Sequence, residues 1–190
     1  NQMPEYIGRY LALTAKVIGA NDTMYIGVSD YAINSGEWQT IEGKLLTQTW
    51  SQASIHQDLD AFFNSYSTIP VETSELKANQ DDINRHFQYD TIEEIVASLE
   101  SEAANSDEWA TLALKTLLTK SPTSLKVTLQ QLIKGENKSL NECLAMEKNM
   151  AIHFMNSPDF YEGVRAVLVD KDGSPKWHPD QLAALTKVDI

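Results

Sequence analysis

Apolar residues recur at three- and four-residue spacing along most of the chain, as in helices that bury one face. The spacing is clear at Trp38, Ile41 and Leu45, where polar residues fill the intervening positions. It returns in a second run, made of Ile55, Leu59, Phe62, Phe63 and Tyr66. Both stretches are predicted to be amphipathic helices.

Helix start signals are frequent in the second half of the chain. Two pairs have capping-box spacing, in which a hydroxyl and a carboxylate satisfy free amides at a helix start: Thr91 with Glu94, and Ser139 with Glu142. Two serines precede a proline, which needs no amide partner in the first turn: Ser121 with Pro122, and Ser157 with Pro158. Four helix starts are therefore predicted here.

These later helices also have a predicted end and a predicted core. Gly135 is expected to stop the helix that starts at Ser121, because glycine adopts the backbone conformation of many helix ends. Apolar residues at helical spacing are expected to form the core: Leu129, Leu132, Leu144 and Phe154.

Helix signals are shorter at the start of the chain. Pro4 is typical of a first helical turn, and the helix that it opens is expected to end near Lys16. Asn21 or Asp22 is predicted to cap a short second helix that Gly27 closes.

Three further segments complete the predicted fold. The alternating Tyr31 and Ile33 predict one short strand, and residues 67–74 predict a loop. His178 with Pro179 is expected to open a last short helix. The chain is therefore predicted to be mainly α, with eight to ten helices and at most one short strand.

Charge excludes several classes of partner. The 190-residue chain has a formal net charge of −12, and residues 35–110 contain three basic and 15 acidic residues. Nucleic acids and anionic lipids require a basic surface, so neither is an expected partner. No apolar run approaches the ~18 residues that cross a bilayer, and the start of the chain lacks the zones of a signal peptide. The chain is expected in the cytoplasm, or in the mitochondrial matrix of a eukaryote.

No sequence motif with a known catalytic mechanism is present. The chain lacks a glycine-rich phosphate loop, a nucleophile elbow and the HExxH and CxxC motifs. Its four histidines lie far apart in sequence, without the paired spacing of metal ligands. Cys143 is the single cysteine and is interpreted as core filler. No catalytic residue and no metal ligand is predicted in this chain.

The most informative segment is residues 159–179, where aromatic, basic and acidic residues follow one another. Glu162 is interpreted as a capping carboxylate rather than a catalytic group. Arg165 is expected in an internal ion pair or an aromatic stack. Lys171 and Lys176 lie in the following loop, where they are either solvated or available to phosphates.

Two stretches of this sequence resemble a known family. SPTSLKVTLQQL at 121–132 and DFYEGVRAVLVDKDGSPKWHP at 159–179 resemble the C-terminal part of 3-hydroxyisobutyryl-CoA hydrolases, within the enoyl-CoA hydratase/isomerase (crotonase) superfamily. The Leu-Ala-Leu-Thr sequence at 11–14 resembles the segment just after the superfamily's catalytic core, with Ala15 where a glycine is usual. The Glu-Gly pair at 162–163 recurs across the superfamily, whereas the longer run at 164–177 favours the hydrolase branch.

The resemblance implies a division of the chain. Residues 1–34 are expected to end the crotonase-like core, and residues 35–190 to form a C-terminal helical domain. That domain would consist of an acidic helical layer at 35–110 and a part at 111–190 in which the resemblance is closest. The catalytic groups of the superfamily lie in a β-rich N-terminal core, and no residue of this chain matches their motifs. The chain is therefore expected to be a fragment, or one product of a divided gene, without activity of its own.

The resemblance also implies a role and a set of partners. In an intact enzyme the C-terminal helices would cover an acyl-CoA thioester substrate, whose coenzyme A is part of the substrate, so no separate cofactor is expected. Lys171, Lys176, Trp177 and Arg165 are the residues expected at the CoA phosphates or at a subunit contact, and a homo-oligomer is compatible with the family. Two alternatives stay open: the same region of an enoyl-CoA hydratase or isomerase, and a non-catalytic helical interaction module.

Overall fold

The chain is mainly helical in the part that the computed structural model describes, residues 3–67 and 74–185. Within these ranges it forms eleven α-helices, nine of them with seven or more residues, and no strand. The helices are α1 Ile7–Thr14, α2 Ala20–Tyr25, α3 Trp38–Thr47, α4 Ile55–Asn64, α5 Glu75–Ala78, α6 Gln80–Phe87, α7 Ile92–Ala103, α8 Glu108–Leu118, α9 Pro122–Gly135, α10 Leu140–Met155 and α11 Pro158–Val164. The predicted mainly α fold is confirmed.

The described residues divide into two compact units. The first contains Glu5–Lys16 and Asp82–Ile190, and the second contains Val17–Asp81. In the first unit, α1 therefore packs with helices that follow it by more than 65 residues of sequence. The domain boundaries predicted at residues 34 and 110 stay predictions.

The core of the first unit lies among α1 and α6 to α9. Its fully buried side chains come from every one of these helices and include Ile7, Leu13, Ile83, Phe87, Ile95, Leu99, Leu117 and Leu129. α7 and α8 pack along each other, and α1 contacts both α8 and α9. Burial of this many large aliphatic side chains is the main stabilising contribution, at roughly 1.5–3 kcal/mol for each.

Arg9 fixes α1 to the chain segment between α6 and α7. Its Nη1 donates to the carbonyl oxygens of Tyr89 and Gln88 at 2.9 and 3.1 Å, and its Nη2 pairs with Asp90 at 3.0 Å. A guanidinium can serve several acceptors at once because its N–H groups point in fixed, separate directions.

α1 ends at a residue with an unusual backbone conformation. Ala15 follows the helix with φ 52° and ψ 37°, and its N–H donates to the carbonyl oxygen of Leu11. This left-handed conformation closes many helices and normally favours glycine, because a Cβ there is crowded. Ala15 stands where the resembled family has glycine, and its left-handed conformation is one to which glycine is better suited.

The predicted core of α9 and α10 is partly wrong. Leu129 is buried, whereas Leu132 is half-buried and Leu144 is 53% exposed. Val127 and Met150 form the buried contact between these helices, and Phe154 packs against that pair. α10 has apolar residues on two faces, and the sequence pattern alone did not show which face packs on α9.

The second unit is organised around a buried carboxylate that the sequence interpretation misplaced. Asn21 or Asp22 was expected to cap α2, but α2 begins at Ala20 after Gly19, so both residues lie inside the helix. Asp22 instead accepts hydrogen bonds from Ser74 Oγ at 2.7 Å and from the Leu76 amide at 3.0 Å. These bonds lower its pKa against the opposing effect of desolvation. Asp22 therefore joins α2 to the start of α5.

The predicted short strand is absent. Residues 31–34 are irregular, and the Tyr31 ring stacks on Phe63 of α4 at a centroid distance of 5.3 Å. The Tyr31 hydroxyl also donates to Asp60, a contact that raises the pKa of Tyr31 to about 12. Tyr31 therefore packs against a helix, and no strand of the described residues pairs with this segment.

Several predicted helix ends are confirmed, and one predicted capping residue makes no capping bond. Thr91, Ser121 and Ser139 cap α7, α9 and α10 through their side chains, and Gly135 ends α9. Ser157 stands at the start of α11 without a side-chain capping bond.

The first and last predicted helices differ from the structure. Pro4 lies before α1, which starts only at Ile7, and the last predicted helix is a single 3₁₀ turn at Leu182–Ala184. Residues 68–73 of the predicted loop lie outside the described residues.

One structural finding concerns membranes. Among the helices of residues 3–67 and 74–185, none combines the length and the apolar character needed to cross a bilayer.

Candidate functional site

Two carboxylates on α11 hold the irregular segment 174–178, which we call the strap. Glu162 Oε1 accepts the Lys176 amide at 2.7 Å, and Asp159 Oδ1 accepts the His178 amide at 2.7 Å. The two amides belong to alternate residues and both donate to α11, so residues 176 and 178 of the strap face this helix. The spacing of Asp159 and Glu162, interpreted from sequence as a helix cap, instead matches the repeat of the strap.

Asp159 also connects α11 to the start of α9. The carboxylate is 4% exposed, and its Oδ2 accepts the Ser121 hydroxyl at 2.6 Å. Ser121 Oγ in turn accepts the amide of Ser124 at 3.1 Å, as the N-cap of α9. One buried carboxylate therefore ties together the start of α9, α11 and the strap.

Arg165 begins the π-helical turn Arg165–Val169 that continues α11, and it is the centre of an ion-pair cluster with the loop that follows this turn. Its Nε and Nη2 donate to Glu162 at 2.9 and 2.8 Å, and its Nη1 donates to Asp170 and Asp172, each at 2.7 Å. Nη2 also donates to the Ser174 carbonyl oxygen at 3.2 Å. The predicted internal ion pair is present, with more partners than the sequence indicated.

The cluster shifts the titration of its members. The hydrogen bonds from Arg165, and then from the Lys176 amide, lower the pKa of Glu162 to about 2. Arg165 and then the Ser174 amide lower the pKa of Asp172, and the carboxylates raise the pKa of Arg165. Each shift has the same physical cause, the close pairing of opposite charges. Because its N–H groups are already engaged, Arg165 is suited to holding the loop.

Trp177 lies between the two amides that the carboxylates hold. Its indole Nε1 donates to the Thr119 carbonyl oxygen at 2.9 Å. The ring packs against Gly163, where an added Cβ would lie 3.5 Å from the Trp177 ring. This is an ordinary contact distance, so a methyl group would fit there, and Gly163 leaves room for the indole against α11.

An apolar groove of about 380 Å³ lies beside the strap in the first unit. Its walls are mainly aromatic and aliphatic, with Asp159 and Ser124 as polar members; the apolar side chains are Phe154, Phe160, Val164, Val167, Leu168 and Trp177. Val167 and Leu168 are 65% and 66% exposed, so an apolar surface continues from the groove. Such a volume accommodates a small apolar group.

The two candidate lysines differ in backbone and surroundings. Lys171 is exposed and has a left-handed backbone, with φ 55°. Lys176 is exposed on the strap, and its charge contributes to the lowered pKa of Asp172. Both side chains lie in solvent near the Arg165 cluster, which leaves their predicted contact with phosphates untested.

A second cavity, of about 300 Å³, lies between α1, α9 and α10. Tyr6, Leu132 and Met146 contribute apolar walls, and the thiol of Cys143 lines it as well. Cys143 Sγ lies 3.8 Å from the Gly135 carbonyl oxygen and is half-buried. The predicted role of this cysteine as buried core filler is therefore only partly right.

Histidine, cysteine and acidic side chains are the possible metal ligands of this chain. Across the described ranges, no three or more His, Cys, Asp or Glu side chains converge as a metal site would require. His86 is buried and contacts Ser98, whereas His56, His153 and His178 are exposed.

Comparison with known proteins identifies the family. The sequence profile described as enoyl-CoA hydratase/isomerase matches residues 1–190. The chain belongs to this family. The sequence indicated this family from the stretches at 121–132 and 159–179. These stretches contain Ser121, Asp159, Glu162 and Trp177.

Curated relatives of this family member align along nearly its whole length. It is 31% identical to 3-hydroxyisobutyryl-CoA hydrolase-like protein 5 of Arabidopsis thaliana, over 100% of this chain and 49% of the relative. It is 35% identical to the mitochondrial 3-hydroxyisobutyryl-CoA hydrolase of Homo sapiens, over 97% of this chain and 47% of the relative. It is also 36% identical to the small ribosomal subunit protein mS47 of Arabidopsis thaliana, over 98% of this chain and 46% of the relative.

A solved structure shares the fold. The carnitinyl-CoA dehydratase from Mycobacterium thermoresistibile superposes with a TM-score of 0.79 at 27% identity, over 98% of this chain and 50% of that chain. The family member described here thus spans about half the length of the relatives that it matches.

Sequence reasoning found the site segment but missed its organisation. It singled out Glu162, Arg165 and Trp177, and the structure brings these three together with the strap. It did not identify Asp159 or Thr119 as partners, because their contacts are 19 and 58 residues away in sequence. The alternate spacing of Lys176 and His178, in a segment that follows a pair of carboxylates, is the sequence signal that could have indicated these contacts.

Proposed function

We propose that this chain is the helical part of an acyl-CoA thioester hydrolase that resembles 3-hydroxyisobutyryl-CoA hydrolase. The observation that supports the proposal best is the identity of 31% and 35% to two such proteins over 100% and 97% of the chain. The run at 164–177, on which the resemblance to the hydrolase branch depends, forms the Arg165 cluster and most of the strap.

The proposal assigns the catalytic groups to another part of the polypeptide. Thioester hydrolysis needs N–H groups that hold the carbonyl oxygen as it becomes negative, and a carboxylate that attacks or activates water. In the candidate site the carboxylates of Asp159 and Glu162 are already occupied by amides, a hydroxyl and Arg165. About half of each relative lies outside the match, which leaves room for an N-terminal catalytic core.

The role left to this chain is to cover and shape the acyl-CoA site. The apolar groove beside Trp177 suits the apolar part of such a substrate, and Lys171 and Lys176 suit its phosphates as exposed cations. Coenzyme A enters as part of the substrate, so the proposal requires no separate cofactor. A homo-oligomer, and a location in the cytoplasm or the mitochondrial matrix, are part of the same proposal; one relative is named as mitochondrial.

Two alternative functions each have one supporting observation. A hydratase or dehydratase is supported by the superposition on the carnitinyl-CoA dehydratase, with a TM-score of 0.79. A non-catalytic interaction module is supported by the 36% identity to a protein named as a ribosomal subunit component. The hydrolase proposal is preferred because the run at 164–177 resembles the hydrolase branch.

Activity assays separate these functions. The chain alone, and a longer polypeptide in which the unmatched half of the human relative precedes it, are incubated with 3-hydroxyisobutyryl-CoA and with an enoyl-CoA. A thiol reagent measures released coenzyme A, and loss of the conjugated double bond measures hydration. We expect no turnover by the chain alone and coenzyme A release by the longer polypeptide.

Other results would favour the alternatives. Hydration without release of coenzyme A by the longer polypeptide would favour the hydratase. Folding of that polypeptide without either reaction would favour the interaction module. Turnover by the chain alone, abolished by substituting one of its own residues, would contradict the assignment of catalysis to an N-terminal core.

A further inference from the structure

The His86 ring lies where four helices of the first unit meet. It is 1% exposed on α6, and its Nδ1 lies 2.8 Å from the Ser98 hydroxyl of α7. The ring stacks on Trp109 of α8, with centroids 6.0 Å apart and an interplanar angle of 28°. From α1, the phenol ring of Tyr10 packs against Trp109 at 5.7 Å and against Phe87 at 5.2 Å.

One atom of this ring has no partner. His86 Nε2 is buried and makes no hydrogen bond to any described residue. A neutral imidazole tolerates this position, because Nδ1 can donate to Ser98 while Nε2 keeps only a lone pair. A protonated imidazole has an N–H donor on both nitrogens, so the donor at Nε2 would be buried without an acceptor.

We propose that His86 is an acid-sensitive latch, whose neutral ring fastens α8 to α6 and α7 and whose protonation releases α8. The inference concerns regulation of the fold and does not depend on the proposed function. Release of α8 would separate Trp109 from the His86 ring and expose the buried face of α8, on which Leu117 lies.

The charged surroundings support this direction of response. Burial, and then the neighbouring Arg85 guanidinium, lower the pKa of His86. Glu102 of α7, Asp82 of α6 and Asp107 at the start of α8 act in the opposite sense. Two of these carboxylates are partly neutralised, because Arg85 lies 3.4 Å from Asp82 and 4.0 Å from Glu102.

The sign of the pH dependence follows from the lowered pKa. Above the pKa of an unfolded histidine, about 6.5, the ring is neutral in both the closed and the open form, and the latch is fully effective. Below that pH the open form binds a proton that the closed form excludes. The equilibrium constant for opening then rises by up to about tenfold per pH unit, until the pKa of the closed form is reached.

Hydrogen exchange tests the latch on the whole chain. Exchange of the α8 amides, corrected for the intrinsic effect of pH, is measured between pH 7.5 and 5 and compared with that of the α9 amides. We expect the opening of α8 to rise by up to about tenfold per pH unit below ~6.5, ahead of α9. His86→Asn keeps a side-chain nitrogen or oxygen near Ser98 without a titrating ring, and it should make α8 exchange independent of pH. His56→Asn, at an exposed histidine of α4, is the matched control and should leave the response intact.

Three results would overturn the latch. They are α8 exchange that stays constant over this range, an equal rise in α8 and α9, and a response that persists in His86→Asn. If that variant does not fold, NMR titration of the unmodified chain decides instead. We expect the His86 ring to titrate below the ordinary histidine pKa of about 6.5, together with a shift of the Trp109 indole signal. Titration of His86 near 6.5 without a change at Trp109 would also reject the proposal.

Discussion

The Ser121 hydroxyl donates to Asp159 Oδ2 across 2.6 Å and 38 residues of sequence. Ser121 caps α9, and Asp159 lies in the first turn of α11, so this bond fixes the beginnings of two helices to each other. The second oxygen of Asp159 holds the His178 amide of the strap. The position of the strap therefore depends on how α9 begins.

Removing the charge of Asp159 should destabilise the fold. In Asp159→Asn one carboxylate oxygen becomes an amide donor, so either Ser121 or the His178 amide loses its acceptor in a buried place. We expect the free energy of unfolding to fall by about 1–3 kcal/mol, measured by urea denaturation. Asp180→Asn, at an exposed aspartate after the strap, is the control and should stay within about 0.5 kcal/mol of the parent chain. Equal losses for the two variants would contradict this account.

Ala15→Gly should stabilise the chain. Ala15 has φ 52°, where a Cβ costs about 1–2 kcal/mol and glycine has no such penalty. Part of the gain is offset by the larger entropy of an unfolded glycine, so we expect a net increase of about 1 kcal/mol in thermal unfolding experiments. The same substitution at exposed Ala12, inside α1, should instead cost about 1 kcal/mol. A loss at both positions would show that the left-handed conformation at Ala15 is not strained.

Gly163 should tolerate a methyl group but not a larger side chain. An added Cβ would lie 3.5 Å from the Trp177 ring, which is ordinary contact, so Gly163→Ala should keep the strap in place. Gly163→Leu should displace Trp177 and break its bond to Thr119, seen as a red shift and broadening of tryptophan emission. Gly43→Leu on α3, where an added Cβ meets nothing within 4 Å, should leave the emission unchanged. An unchanged spectrum of Gly163→Leu would mean that Trp177 is not held against α11.

Stability in acid should depend on Glu162. The pKa of this carboxylate is lowered to about 2 by Arg165 and the Lys176 amide, from an ordinary value of 4.5. The ionised form is therefore favoured by folding, and its contribution is complete above pH ~4.5 and is lost as the pH falls towards 2. Melting temperatures measured from pH 6 to 2.5 should fall less steeply for Glu162→Gln than for the parent chain. Parallel profiles would reject the ion-pair assignment. Glu142→Gln, in the exposed capping box of α10, is the comparison: the Ser139 hydroxyl and amide lower the pKa of Glu142 less strongly, so its removal should flatten the profile less.

Lys171 and Lys176 should affect substrate binding more than chemistry in an active, longer polypeptide. If they contact CoA phosphates, the contact is equal in the ground and transition states. The double variant Lys171→Ala with Lys176→Ala should then raise KM for acyl-CoA and leave kcat nearly unchanged, and the difference should shrink in high salt. Lys138→Ala, at an exposed lysine before α10, is the control. An unchanged KM with a lower melting temperature would assign the two lysines to the fold instead.

The sequence predicted helices better than it predicted contacts between them. Local signals such as the caps Thr91, Ser121 and Ser139 were right, because the capping side chain and the amide that it satisfies are three residues apart. Leu144 was wrong because an apolar residue on an amphipathic pattern does not reveal which face of α10 is covered. Asp22 was misplaced for a related reason, since its partner Ser74 is 52 residues away.

In the candidate site, too, the sequence predicted local contacts better than long-range contacts. Arg165 and Glu162 are three residues apart on one turn, so their pairing could be read from the sequence. The groove, the strap and the position of Trp177 depend on Thr119 and Asp159, which come from separate elements. Periodicity cannot place residues whose contacts are set by how α8, α9 and α11 pack.

The discontinuous first unit has a consequence for synthesis of the chain. α1 is made before its partners α8 and α9, which follow only after the 65 residues of Val17–Asp81 and the helices beyond them. Until Gly135 has left the ribosome, α1 lacks the complete surface from α8 and α9 against which Ile7 and Leu13 are buried, and Arg9 lacks its acceptors until Gln88, Tyr89 and Asp90 have been made. At a synthesis rate of roughly 5–20 residues per second, α1 is without its partners α8 and α9 for about 6–25 seconds. During this interval its apolar face is available to chaperones or to other nascent chains, so errors in assembling the first unit should originate at α1.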